Sequence, residues 1–144
     1  MDCISAERFL IQDDKVKNIL LDWWQAKCYD LLHDIKEKTT VIYQGENDEK
    51  HYIGQISYEP EEYSSLDRFI PLLTETQLRK FIQDNGYKYI GINNFLELDN
   101  VEVWNIKVFK NMNQFEPNFE IIHNCPLECY WYVVLRIIEE MEVK

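Results

Sequence analysis

His123, Cys125 and Cys129 are the residues whose types and spacing come closest to metal chemistry. Cys125 and Cys129 stand four apart, a spacing that brings both to one face of a helix. Imidazole and thiolate ligands so placed open a zinc site, for which Cys28 or His51 is the candidate fourth ligand. The competing reading is that cysteine, one of the most commonly buried residues, simply packs as a small apolar side chain. A Cys–His nucleophile pair is formally available from four cysteines and three histidines. No glycine-rich or helix-N-terminal oxyanion site accompanies such a pair, so nucleophilic catalysis has no local support.

A second constellation is acidic. Glu59, Glu61 and Glu62, followed by Asp67, lie beside Tyr58 and Tyr63. Carboxylates at this density suit acid–base work or a divalent cation. The plainer reading is a solvated loop, because charge runs usually face water. A third reading joins acids to tyrosines as a docking surface for a basic protein, with Tyr supplying contact area and carboxylates supplying steering. On that reading the partner-binding residues are Glu59, Glu61, Glu62, Tyr63 and Asp67. Trp23 and Trp24 point about 100° apart on a helix, so both are core only if two sides are covered. An exposed tryptophan there would mark an interface.

The composition bounds what these groups can serve. A chain of 144 residues fits one domain, and 46% apolar with 14% aromatic residues excludes global disorder. The net charge of -11 disfavours direct binding to nucleic acid or to an anionic membrane. Met1-Asp2-Cys3 lacks a basic leader region, and no apolar run reaches the ~18 residues of a membrane span. The expected location is therefore a reducing cytoplasm, with free thiols and no cofactor.

The positioning elements follow from periodicity and punctuation. Ser5 caps a first turn over residues 6–11. Asp13 and Asp14 precede a helix with Val16, Ile19, Leu20, Trp23 and Trp24 on its apolar side. Two continuations stay open: the stripe runs on through Cys28, Leu31 and Ile35 to Lys38, or the helix breaks after Trp24 and residues 29–35 are extended. Residues 39–43 read as a strand, 44–50 as a turn and 51–58 as the returning strand, with Gly54 as a bulge. Thr74 and Gln77 form a capping box, and Leu78, Phe81 and Ile82 make one stripe up to Gly86. Residues 87–98 and 101–109 form a second hairpin about Asp99-Asn100, with Trp104, Ile106 and Val108 on one face. A polar loop follows, then a short strand over 119–122. The last helix spans 126–141, with Pro126 at its first position and Cys125 or Asn124 as cap. Its apolar residues wrap most of the circumference, so it must be buried on several sides or meet a second copy. The expected architecture is one α+β domain over 1–144. An antiparallel sheet of about four or five strands packs on a central and a C-terminal helix, with an N-terminal helix added.

Leu20-Leu21-Asp22-Trp23-Trp24-Gln25 and the segment from Ile70 to Ile82, followed by an aromatic C-terminal helix, give the chain a family resemblance. It resembles small accessory proteins of phages and prophages of Gram-positive bacteria. Those carry a W-Q-P-x-x-G-D-like segment leading into a strand and a P-L-L-T-x-x-Q-L-R-x-F-I-like helix. Gln25 and Asp30 match, whereas Ala26 and Tyr29 replace the usual Pro and Gly. The resemblance implies a phage origin, an accessory role and the break after Trp24; it transfers no site residue. The expected function is an acidic inhibitor of a basic partner, such as a host defence nuclease, resembling anti-CRISPR proteins in mode. The alternatives are a toxin-neutralising immunity protein and a small metal protein or enzyme built on His123, Cys125 and Cys129.

Overall fold

The computed structural model describes residues 2–25, 27, 29–53, 56–58, 68–97 and 99–141. They form an α+β protein whose residues cluster into two units, Ser5–Leu73 and Thr74–Lys144 with Met1–Ile4. The two hairpins fall in separate antiparallel sheets of five and three strands, where one shared sheet was expected.

The Ser5–Leu73 unit begins with two capped helices. The Ser5 hydroxyl accepts from the Arg8 N–H at 3.3 Å and starts α1 (Ala6–Leu10). Asp13 accepts from the Val16 N–H at 3.0 Å and starts α2 (Asp14–Trp23), which buries Val16 and Leu20. The helix stops there: Trp24 is extended, and β1 (Leu31–Asp34) follows. Of the two open readings, the helix running to Lys38 is thus overturned. The reason is tertiary. The Tyr29 N–H donates to the Tyr43 carbonyl at 2.7 Å, and Leu32 enters a core cluster with Tyr43, Ile53 and Phe69. Trp24 packs against that cluster, so it belongs to the core reading of the tryptophan pair.

β2 (Thr39–Asn47) pairs with β1 and with β3 (Lys50–Ile53). The expected turn over 44–50 is largely strand: only Asp48 and Glu49 separate paired Asn47 and Lys50. The register shifts between Tyr43 and Gly45, so the bulge falls at Gly45, with φ 122, while Gly54 lies outside the described residues. The expected strand over 51–58 is two strands, because β4 (Ile56–Tyr58) pairs back on β3 with Ile53 opposite Ile56. β5 (Phe69–Pro71) pairs with β1 and completes the order β4-β3-β2-β1-β5.

In the other unit, α3 (Glu75–Asp84) realises its punctuation. Thr74 accepts from the Gln77 N–H at 3.4 Å, and the Gln77 side chain accepts from the Thr74 N–H at 2.9 Å. Gly86 follows with φ 94, which an L side chain resists. β6 (Tyr89–Leu96), β7 (Glu102–Phe109) and β8 (Phe119–His123) form the three-stranded sheet. Ile106 and Val108 are fully buried on the expected face, and Val103 is buried on the other. The last helix, α4 (Pro126–Glu140), lies between α3 on one side and β7 and β8 on the other. Tyr130, Trp131, Val133, Val134, Ile137 and Ile138 are all buried, so its apolar circumference is covered within one chain.

Candidate functional site

One end of the five-stranded sheet carries an acidic turn and the last described residue before the acidic segment. At the β2–β3 turn, Asp48 has φ 52 and Glu49 has φ 66, the signature of a type I′ turn. That turn favours Asn-Gly or Asp-Gly, so Asp48 suits it, whereas Glu49 holds a longer side chain in the left-handed region at a cost of about 1 kcal/mol. Here two exposed carboxylates occupy it, with exposed Glu46 one residue before Asn47. β3 runs away from this tip and β4 returns toward it, so Tyr58 stands opposite His51, one residue from the turn strand's start. The chain therefore leaves Tyr58 at the acidic end of the sheet. Glu59, Glu61, Glu62, Tyr63 and Asp67 come next in sequence and lie outside the described residues. Sequence reasoning missed Asp48 and Glu49; the available signal was an acidic pair at the centre of a polar stretch between two strands.

The roots of that acidic segment are built firmly. Arg68 donates to Asp34 at 3.0 Å, and Asp34 is only 4% exposed. The same carboxylate accepts from the Lys36 and Glu37 N–H groups at 3.0 and 3.1 Å. The Arg68 guanidinium lies over the Tyr58 and Phe69 rings, 5.5 and 5.1 Å from their centroids. Those two rings meet edge to face at 4.9 Å. Tyr58, the last described residue before the segment, and Arg68, the first after it, are thus held together. The Tyr43 hydroxyl and His51 Nδ1, 2.7 Å apart, brace the neighbouring strand pair.

His123, Cys125 and Cys129 stand near one another in the chain but serve different roles. His123 ends β8, and its buried Nδ1 meets no hydrogen-bond partner among the described residues. Cys125 is the α4 N-cap and makes no side-chain capping bond. Cys129 is fully buried, and its thiol donates to the Trp104 carbonyl at 3.7 Å. Burial above all, with the Cys125 thiol adding to it, pushes the Cys129 thiol up to about 11. A thiol so placed is a poor nucleophile at neutral pH. Among the described residues, no three His, Cys, Asp or Glu side chains gather as a metal site requires. Cys28 lies outside them.

A cleft of about 520 Å³ opens beside β6. Arg79 and Gln83 of α3, Lys88, Tyr89, Phe109 and Met112 line it, and no lining residue is acidic. Burial pushes Tyr130, whose ring lies under the Arg79 guanidinium at 5.8 Å, up to about 12. No helix among the described residues is long and apolar enough to cross a membrane. Comparison with protein-family models, curated proteins and solved structures finds no match for this chain.

Proposed function

We propose that this chain is a phage- or prophage-encoded accessory protein that inhibits a host nucleic-acid-handling protein by occupying its basic surface. The observation that carries this reading is the Asp48-Glu49 turn. After Asp48, which suits this turn, a second carboxylate, Glu49, stands where glycine would be more stable, at the sheet end from which the acidic segment departs. Positions that break a local rule are where a functional demand is expected. The net charge of -11 adds long-range attraction for a basic partner and repels nucleic acid itself. The phage origin rests on the resemblance carried by the Leu20–Gln25 and Ile70–Ile82 segments.

Affinity capture from host lysate at low salt tests the reading. A specific nucleic-acid-handling protein that releases its nucleic acid when this chain binds is the expected result. Charge reversal at Glu59, Glu61 and Glu62 then abolishes capture without unfolding the chain. Capture that returns no such protein contradicts the proposal.

A further inference from the structure

We propose that β6 is the edge through which two copies of this chain pair, antiparallel, into one six-stranded sheet. β6 lies at the end of the β6-β7-β8 order, so among the described residues one side of its backbone has no strand partner. Proteins protect such edges with lysines, prolines, bulges or a covering segment. β6 has none of the first three: its eight residues carry no charge and no proline, and it pairs with β7 in unbroken register. Its apolar side chains reach solvent: Tyr89, Ile92, Phe95 and Leu96 are 40%, 43%, 43% and 65% exposed.

The charges at its two ends identify the occupant. Lys88 immediately precedes β6 and Glu97 immediately follows it. Among the described residues neither joins an ion pair. Arg79 lines the cleft with Lys88 and makes that end more positive. Antiparallel pairing of two copies reverses one strand, so the cationic end of each meets the Glu97 end of the other; Lys88 and Glu97 leave opposite faces of the pleat and attract as neighbouring ends, not as a direct ion pair. A strand with one positive and one negative end is complementary to itself, which fits a closed two-fold dimer.

The pleat restricts the register. Residues directly opposite in an antiparallel pair point to the same face, so the two-fold axis must pass through a residue position. Centred on Asn93, the pairing sets Ile90 opposite Leu96, Gly91 opposite Phe95, and Tyr89 opposite Glu97 of the other copy. A Cβ at Gly91 would meet nothing within 4 Å, which leaves room for the opposing phenyl ring to lie across it. This surface differs from the acidic end of the other sheet and does not depend on the proposed function.

Sedimentation equilibrium up to about 1 mM tests the pairing. A monomer–dimer equilibrium is expected, with Lys88→Glu and Glu97→Lys each weakening the dimer by about threefold at low salt. The double variant restores it. Asn93→Cys forms a disulfide-linked dimer on mild oxidation, whereas Asn94→Cys, on the opposite face, and the unmodified chain do not. A monomer at every concentration overturns the proposal. So does a dimer that ignores both charge reversals and leaves Asn93→Cys uncrosslinked.

Discussion

At the scale of single residues, burial decides what each group can do. Cys125 and Cys129 have the spacing of ligands, and that much was legible in the sequence. Which way the helix turns Cys129 was not, because that depends on the contacts of α4 with β7 and β8. The consequence is measurable at alkaline pH. A thiol at about 11, raised from 9.0, keeps its proton in the fold after the unfolded chain has lost it. Unfolding then releases a proton, so stability falls as pH rises from about 9 toward 11, by about 1.4 kcal/mol per unit. Urea denaturation of Cys129→Ala against the parent chain across that window should show a shallower fall in the variant. Tyr130 adds a similar loss from about 10 to 12. Arg68 gives a second residue-scale prediction. Arg68→Met leaves the buried Asp34 carboxylate without its cation, at a cost of about 3 kcal/mol in denaturant titration.

At the scale of elements, local cues were reliable and non-local ones were not. α3 was legible because its cap, its stripe and its stop are all written within residues 74–86. Thr74→Ala removes one half of the capping box and should cost about 1 kcal/mol, read as a lowered denaturation midpoint. The strand expected over 51–58 failed because residues 51–53 and 56–58 carry similar β-forming side chains. Only the pairing of Ile53 with Ile56 separates them. The β2–β3 turn was drawn too wide over 44–50, because Gly45 and Asn47 carry turn signals while Glu49 lacks the glycine that a type I′ turn normally shows at its second position. Asp48→Asn with Glu49→Gly restores that signal. The pair of substitutions should raise stability by about 1 kcal/mol in thermal or urea unfolding, leaving the hairpin in place.

At the scale of the whole molecule, the α+β class followed from the order of helices and hairpins. The division into two sheets did not, because strand partnership is settled by contacts far apart in sequence, such as β1 with β5. The net charge was readable at once, but that Tyr58, the residue before the acidic segment, stands beside the Asp48-Glu49 turn required the return of β4 beside β3. The central claim is that this acidic end binds a basic partner. Its most direct test is paired capture from host lysate, at low and at high salt, with the parent chain and the Asp48→Asn/Glu49→Gly variant as bait. The account predicts a nucleic-acid-handling protein on the parent chain at low salt, its loss at high salt, and markedly weaker retention by the more stable variant. Equal retention by both baits, or retention indifferent to salt, would contradict it.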